Sequence, residues 1–272
     1  MSSIRALVVA GNGTNCEHET AFACLQAGFD EAASVPIWDL LAGEQRLADY
    51  ELLCLPGGFL DGDDLGAARA CANRYRHGRI AGTGQRLWDE LRAFVESGKL
   101  VLGICNGFQL LVKLGLLPAV EPAPRQCVTL TFNDSGRFED RWVELVCDPR
   151  SPCVFTRGLE RLALPVRHGE GKLVCESEAL RSQLDGAQLV PLRYAEPETG
   201  EPTERYPQNP NGSPRGAAGL CDPSGRVFGL MPHPEAYLHR THHPRWTRGD
   251  GGQAEEGLGL RVFRNAAAFL SS

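Results

Sequence analysis

Hydrophobic runs of strand length recur along the first half of the chain, and each ends in glycine or another turn residue. The clearest runs are IRALVVAG (4–11), ELLCLPGG (51–58) and KLVLGICNG (99–107). Between them lie segments whose apolar side chains recur every three or four residues, as in a helix with one buried face. These segments are HETAFACLQAGF (18–29), GQRLWDELRAFVESG (84–98) and GFQLLVKLGLLP (107–118). This alternation predicts an α/β fold, with a mostly parallel central sheet covered by helices on both faces.

The second half has a different pattern. Shorter strands with more turns fill residues 120–200, namely VELVC, LALPV, KLVCE and LVPLRY, and they predict an additional small antiparallel region. RVFGLMPHPEA (226–236) then reads as a strand that runs into a polar loop, and an amphipathic helix closes the chain. The stretch 195–216 is rich in proline and glycine, and we interpret it as an excursion rather than a linker. We therefore expect residues 1–272 to form a single domain.

Composition narrows the class of protein. The 272 residues are 42% apolar and 23% charged, as in an ordinary globular protein with a sizeable core. The net charge is −6, from 28 basic and 34 acidic residues, which argues against binding by phosphate neutralisation and so against nucleic acid as a partner. The sequence contains no run of 18 apolar residues, so we expect no membrane span. The N-terminal apolar run is too short for a secretory signal, so we expect a cytoplasmic protein.

Ten cysteines are many for such a protein. They extend from Cys16 to Cys221, and no two have the spacing of a CxxC pair, which disfavours a zinc ribbon or a thioredoxin-type dithiol. In a reducing compartment most cysteines are small buried hydrophobes. The question is then which of them lies where a thiolate forms.

Cys105 is the candidate nucleophile. The sequence Gly103-Ile104-Cys105-Asn106-Gly107 follows an apolar strand and begins a helix, which is the pattern of a nucleophile elbow. Such a turn is expected to hold the thiol exposed at the end of the strand, where the helix N-terminus lowers the pKa of a thiol. The backbone N–H of Asn106 can then contribute half of an oxyanion hole.

A cysteine nucleophile needs a base, and the base needs a group that orients it. His233 lies in Met231-Pro232-His233-Pro234-Glu235, just after a strand. The flanking prolines favour an extended backbone, which points the side chains of His233 and Glu235 the same way. We therefore predict His233 as the base and Glu235 as its orienter. His239, His242 and His243 are interpreted as surface residues, with a weak metal cluster as the less favoured alternative.

Two glycine-rich segments are further candidates. Pro56-Gly57-Gly58-Phe59 ends another predicted parallel strand, at the sheet edge where ligands of such folds bind, and it can supply the second oxyanion N–H. His168-Gly169-Glu170-Gly171 places a polar pair between glycines, which permits close approach of backbone or substrate.

These motifs, taken together, resemble a known family. GICNGFQ (103–109), LPGGF (55–59) and MPHPE (231–235) are similar to the motifs of class I, triad-type glutamine amidotransferases. Further segments resemble the branch that forms the glutaminase component of phosphoribosylformylglycinamidine synthase, an enzyme of purine biosynthesis. They are GNGTNCE (11–17), GDDLGA (62–67), RFEDRW (137–142), HGEG (168–171), YPQNPNGSP (206–214) and RVFRNA (261–266). The resemblance is collinear from about residue 4 to residue 270.

The resemblance implies a flavodoxin-like fold and a reaction in which Cys105 attacks the side-chain amide of glutamine, with His233 and Glu235 as the rest of the triad. It assigns the oxyanion hole to the backbone of Gly57, Gly58 and Asn106. It assigns the substrate pocket to Phe59, Gln109, His168, Gly169 and Glu170. Two departures from the family's pattern, Leu60-Asp61 and Ala236, replace no member of the triad.

The resemblance also implies a partner. Ammonia would pass to the synthetase subunit of the enzyme, and whether a third small subunit takes part stays open. The chain has no P-loop motif, so ATP and magnesium are expected on the partner, with no cofactor and no metal in this chain. Because the first predicted strand lies at the start of the chain, we expect a separate subunit rather than part of a large single-chain enzyme.

Alternatives remain at this point. A glutaminase of another biosynthetic pathway, such as guanylate or carbamoyl-phosphate synthesis, would share the triad but not the branch motifs. A stand-alone cysteine hydrolase of the flavodoxin-like group usually has its histidine directly after the elbow, where this chain has Asn106. A non-enzymatic binding module would require the cysteine, histidine and glutamate to coincide by chance.

Overall fold

A parallel sheet lies at the centre of the computed structural model, which describes residues 3–248 and 255–272. The strands of the described residues are β1 (Arg5–Ala10), β2 (Glu31–Pro36), β3 (Leu52–Leu55), β4 (Leu100–Ile104), β5 (Val128–Thr131), β6 (Glu139–Cys147), β7 (Arg161–His168), β8 (Lys172–Cys175), β9 (Leu192–Tyr194), β10 (Gly219–Cys221) and β11 (Val227–Leu230). Six of them form the central sheet in the order β10-β11-β4-β3-β1-β2, and only β10 runs antiparallel to its neighbour. The predicted α/β class is confirmed.

Seven helices accompany the strands within the described residues. They are α1 (Glu17–Ala27), α2 (Ile37–Ala42), α3 (Arg69–His77), α4 (Leu87–Glu96), α5 (Asn106–Leu114), α6 (Glu178–Gly186) and α7 (Leu260–Leu270). The step from β1 to β2 and the step from β3 to β4 run in opposite directions across the sheet. Because such crossovers are right-handed, α1 lies on one face of the sheet and α3 with α4 on the other. Every residue of β3, β4 and β11 is therefore buried.

The sequence pattern located the buried strands and missed several peripheral elements. The predicted helix at 84–98 begins at Leu87, and the one at 107–118 ends at Leu114, where Gly115 takes a left-handed φ of 77°. Among the elements not predicted are β2, α2, α3 and α6. β2 is an edge strand of mostly small or polar residues and has no clear hydrophobic period. α3 does bury one face, but that face consists of Cys71, Ala72 and Tyr75 in a segment rich in arginine, so it lacks the large aliphatic residues that mark the predicted helices.

Two small antiparallel sheets form the predicted additional region. One pairs β5 with β8, and the other has the order β7-β6-β9. Their buried apolar side chains belong to the same cluster as those of the central sheet. The backbone N–H of His233, just after β11, donates to the carbonyl of Pro165 in β7 at 2.8 Å. This hydrogen bond joins the smaller sheet to the carboxyl edge of the large one.

Part of the proline-rich stretch is packed inside rather than extended over the surface. Asn209, Asn211 and Ser213 are at most 1% exposed. Asn211 donates to the Tyr194 hydroxyl at 2.9 Å, and Ser213 accepts from the backbone N–H of Leu173 at 2.9 Å. The interpretation of this stretch as an excursion is therefore wrong for residues 209–213. Composition alone does not reveal that polar side chains form hydrogen bonds with buried backbone groups.

Across the described ranges, no helix is long and apolar enough to span a membrane.

Close backbone packing fixes the turn between β4 and α5. A Cβ on Gly103 would lie 2.8 Å from the carbonyl oxygen of Gly107. A Cβ on Gly107 would lie 1.8 Å from the carbonyl oxygen of Leu55 in β3. Real side chains do not reach such distances, so both positions require glycine for α5 to start against the neighbouring strand.

This packing predicts a large stability difference between two alanine variants. Gly107→Ala should lower the free energy of unfolding by about 2 kcal/mol or more, because the new methyl group meets backbone that cannot move aside. Gly186→Ala is the matched control, since the added methyl group meets nothing within 4 Å apart from its own stretch of helix. Urea denaturation followed by circular dichroism measures both. Equal stability of the two variants would show that the packing at Gly107 is not restrictive.

Candidate active site

Cys105 occupies the turn between β4 and α5 with a φ of 51° and a ψ of −105°. This strained conformation of a non-glycine residue is typical of functional turns. The elbow pattern predicts a thiol exposed to solvent, and this prediction is wrong. The residue is 6% exposed, because the sheet of β6, β7 and β9 covers it, and Sγ lies 3.6 Å from the carbonyl oxygen of Arg167 in β7.

His233 and Glu235 form a buried pair beside it. Nδ1 of His233 lies 2.5 Å from Oε1 of Glu235, and each residue is 2% exposed. Burial opposes a charge on His233, but the Glu235 carboxylate and the adjacent Cys105 thiol outweigh it and raise the pKa of the imidazole. Nε2, the other ring nitrogen, has no hydrogen-bond partner in the described part of the chain. The histidine is therefore oriented by Glu235 and free to exchange a proton through Nε2.

Gly57 and Gly58 bring the backbone after β3 to the triad. A Cβ on Gly57 would lie 2.8 Å from Cε1 of His233 and 3.5 Å from Cβ of Cys105. Gly58 has a φ of 153°, and a Cβ there would lie 2.4 Å from the carbonyl oxygen of Gly13. Only glycine permits this approach, which suits backbone N–H groups that face the reacting atoms. Their role as oxyanion donors stays a prediction.

The side chain of Asn106, at the start of α5, contacts the loop after β3 directly and the loop after β7 through Gln109. Its Oδ1 accepts from the backbone N–H of Leu60 at 2.8 Å, and its Nδ2 donates to Oε1 of Gln109 at 2.8 Å and to the carboxylate of Asp63 at 3.2 Å. Gln109 in turn donates to the carbonyl oxygen of Glu170 at 2.6 Å. These contacts fix the start of α5 relative to the loops after β3 and β7.

His168 is buried in the layer behind the triad. Its Nδ1 lies 3.1 Å from Oδ1 of Asn133, and burial, with a smaller contribution from His233, lowers the pKa of His168 to about 3. Successive side chains of a strand point to opposite faces, so Arg167 and His168 of β7 cannot both face the same cavity.

A cavity of about 130 Å³ opens onto the triad at the carboxyl ends of the parallel strands. Its walls combine residues after β1, β3, β4 and β11 with two from the β6–β7 region. They are Asn15, Cys16, Glu19, Gly58, Phe59, Cys105, Phe138, Arg167 and His233. The strand order reverses between β3 and β1, which is where such folds bind ligands.

The cavity includes part of the predicted set and some residues that were not predicted. Phe59, predicted to contact the substrate, lines the cavity. Gln109, His168, Gly169 and Glu170 do not, and Gln109, His168 and Glu170 instead form hydrogen bonds behind its wall. Asn15, Cys16, Glu19, Phe138 and Arg167 were not predicted as site residues. The segments GNGTNCE and RFEDRW contain three of these five and were the available signal, but no side chain in them has a chemical role that sequence alone defines.

A larger cavity of about 440 Å³ lies elsewhere, between residues 134–137 and 204–212. Neither a cysteine nor a histidine lines it. Because the predicted nucleophile and base line only the smaller of these two cavities, we assign the active site to the smaller one.

His243 is not the surface residue that the sequence predicted. It is 4% exposed and packs against the rings of Trp142 and Tyr237.

Comparison with known proteins agrees with this geometry. Residues 3–270 match the family model of the CobB/CobQ-like glutamine amidotransferase domain. A relative from Dehalococcoides mccartyi, phosphoribosylformylglycinamidine synthase subunit PurQ, is 45% identical over 98% of this chain and 97% of its own length. The chain belongs to the PurQ family. Another member, from Methanococcus maripaludis, is 39% identical over 98% of this chain and 97% of its own length.

A solved structure extends the likeness to three dimensions. The structure of PurLQS from Thermotoga maritima includes a chain with a TM-score of 0.70 and 30% sequence identity, covering 99% of this chain and 100% of that one. The resemblance to class I glutamine amidotransferases of the PurQ branch is thus confirmed in sequence and in fold.

The cavity predicts selective alkylation. Iodoacetamide should label Cys105 before any other of the ten cysteines, because Cys105 adjoins both the His233 imidazole and the cavity. Cys16 also lines the cavity and Cys175 is partly exposed, but burial raises the pKa of both thiols. Peptide mapping by mass spectrometry gives the order. Earlier labelling of Cys16 or Cys175 would contradict the assignment.

A second prediction concerns Glu235. Glu235→Gln should preserve the fold but slow glutamine hydrolysis at least about tenfold, because the imidazole loses the charge that holds its tautomer. Glu96→Gln is the control, since Glu96 is an exposed partner of Arg92 on α4. Steady-state rates and thermal melting of both variants decide the matter. An unchanged rate in Glu235→Gln would mean that the carboxylate does not orient His233.

Proposed function

We propose that this chain is the glutaminase subunit of phosphoribosylformylglycinamidine synthase, which hydrolyses glutamine to glutamate and ammonia for purine biosynthesis. The observation that carries the proposal is a small cavity lined by Cys105 and His233, with Glu235 bound to His233 behind it, in a chain 45% identical over 98% of its length to a PurQ subunit. A triad of this kind performs acyl transfer from an amide.

In the proposed mechanism, Sγ of Cys105 attacks the side-chain amide carbon of glutamine. The backbone N–H groups of Gly58 and Asn106 stabilise the negative charge that develops on the amide oxygen. His233 transfers a proton to the leaving nitrogen, so that the C–N bond breaks, ammonia departs and a glutamyl thioester remains on Cys105. Water then attacks the thioester while His233 accepts its proton, which yields glutamate and restores the thiol.

The cavity is consistent with an amino-acid substrate. Glu19 and Arg167, which carry opposite charges, both line it and both are exposed at the surface. Glutamine carries an α-ammonium and an α-carboxylate, so a mouth with one charge of each sign matches its polar end. The uncharged amide end then enters the interior, toward Cys105.

A partner completes the reaction. The Thermotoga maritima structure named PurLQS contains subunits in addition to the one that resembles this chain, and we propose a synthetase and a small third subunit as partners here. The synthetase would use ammonia to convert formylglycinamide ribonucleotide to formylglycinamidine ribonucleotide. We place ATP and magnesium on that subunit, because this chain has no P-loop motif.

We place the reaction in the cytoplasm. All ten cysteines are free thiols, and nine of them are buried, a state that persists in a reducing compartment.

The alternative functions fit less well. A glutaminase of guanylate or carbamoyl-phosphate synthesis would retain the triad, but the full-length similarity is to PurQ subunits. A binding module has no use for the buried His233–Glu235 pair. A stand-alone hydrolase would not be expected to match the amidotransferase family model over residues 3–270.

Replacement of the nucleophile separates the two half-reactions. In a complex with the synthetase, Cys105→Ala should abolish glutamine-dependent formation of formylglycinamidine ribonucleotide. Synthesis from added ammonium salt should continue at the wild-type rate, because the synthetase then receives ammonia directly.

Cys175→Ala, which removes a partly exposed thiol that does not line the catalytic cavity, should retain both activities. Gel filtration verifies that each variant still forms the complex. Loss of the ammonium-dependent activity in an assembled Cys105→Ala complex would show that Cys105 does more than release ammonia. Full glutamine hydrolysis by Cys105→Ala would refute the proposed function.

A further inference from the structure

A second thiol lies against the catalytic histidine and has no part in the mechanism above. Cys16 immediately precedes α1 and is 7% exposed. Its Sγ lies 3.9 Å from Nδ1 of His233 and donates to Oδ1 of Asn15 at 3.1 Å. The thiol also lines the cavity, so a small solute that enters the cavity can reach it.

Cys16, His233 and Glu235 together offer sulfur, nitrogen and oxygen ligands to one point. Their ligand atoms all lie within 4.8 Å of one another. Zinc bonds of about 2.3 Å to sulfur and about 2.0 Å to nitrogen place those two ligands about 3.6 Å apart in a tetrahedral site. The observed 3.9 Å between Sγ of Cys16 and Nδ1 of His233 is close to that separation.

Glu235 needs the larger adjustment. Its Oε1 lies 2.5 Å from Nδ1 of His233, whereas two ligands of one zinc ion lie about 3.4 Å apart, so the carboxylate must retreat by about 1 Å. Oε2 of Glu235 is buried and has no hydrogen-bond partner within residues 3–248 and 255–272, so no bond to that oxygen opposes the movement. The same unpartnered oxygen is available as a ligand.

We propose that Cys16, His233 and Glu235 form an inhibitory site for a thiophilic divalent cation such as zinc. The cation binds Sγ of Cys16, Nδ1 of His233 and the carboxylate of Glu235, and its fourth position faces the cavity. A thiolate and a carboxylate balance the two positive charges, which a buried site requires. The thiolate favours zinc over the hard cations magnesium and calcium.

Binding there blocks catalysis through the imidazole. The cation displaces the thiol proton of Cys16 and the Nδ1 proton of His233, both of which pass to solvent, and it breaks the hydrogen bond to Glu235. The proton that remains on the ring is then on Nε2, so this nitrogen cannot accept a proton during turnover. Cation binding itself is independent of the proposed function, whereas the expected inhibition rests on it.

Cobalt(II) serves as a spectroscopic probe for zinc in the purified full chain. The wild type and Cys105→Ala should both show ultraviolet charge-transfer absorption from thiolate to cobalt. Cys16→Ser should lose this absorption, and Cys175→Ser, the matched control for a thiol outside the site, should keep it. Loss of the signal in Cys105→Ala with retention in Cys16→Ser would place the cation on the nucleophile and overturn the proposal.

A second test measures whether zinc protects Cys16 from alkylation in the wild-type protein, so it needs no variant at Cys16. Zinc should slow the alkylation of Cys16 and leave that of Cys175 unchanged, as measured by peptide mapping. Equal labelling of Cys16 with and without zinc would also overturn the proposal.

Glutaminase assays of the complex with the synthetase complete the test. Zinc should inhibit the wild type, a chelator should restore the rate, and magnesium should have no such effect. Relative to its own zinc-free rate, Cys16→Ser should need at least tenfold more zinc for half inhibition. Unchanged sensitivity in Cys16→Ser would exclude Cys16 as a ligand, whereas a chain that binds cobalt but never hydrolyses glutamine would refute only the proposed function.

Discussion

The contact between Gly107 and the carbonyl oxygen of Leu55 is the constraint on which the active site depends. It allows α5 to begin directly against β3, so that the chain must turn sharply at Cys105 and give that residue a positive φ. The turn presents Cys105 beside the Gly57-Gly58 backbone, which belongs to the same neighbouring strand end. The nucleophile and the proposed oxyanion donors are thus positioned by one packing contact between backbones.

The small antiparallel sheets supply what the parallel sheet cannot. The parallel strands end at an open edge, where a thiol and an imidazole would be solvated. β7 covers that edge, accepts the backbone N–H of His233 at Pro165 and places the carbonyl of Arg167 near Sγ of Cys105. The resulting burial strengthens the interaction between His233 and Glu235, because charges attract more strongly where water is excluded. Burial also leaves only a small cavity for the substrate.

Local patterns in the sequence predicted the parts of the protein that depend on local chemistry. The buried strands, the elbow around Cys105 and the pairing of His233 with Glu235 all follow from short segments with a clear periodicity or spacing. Contacts between residues far apart in the sequence could not be predicted from such patterns. The burial of Cys105 depends on β7, about 60 residues later, and the location of His168 behind the cavity depends on which face of β7 each side chain takes. Cys16 was one of ten similar cysteines until the fold placed it against His233.

The central claim is that Cys105 carries the glutamyl group during turnover. Acid quenching of the complex during steady-state hydrolysis of glutamine, followed by intact-mass analysis and peptide mapping, tests it directly. The account predicts a fraction of the chain with the mass of one added glutamyl group, attached to Cys105 and released by hydroxylamine. A glutamyl group mapped to Cys16 or to any other side chain would contradict the account.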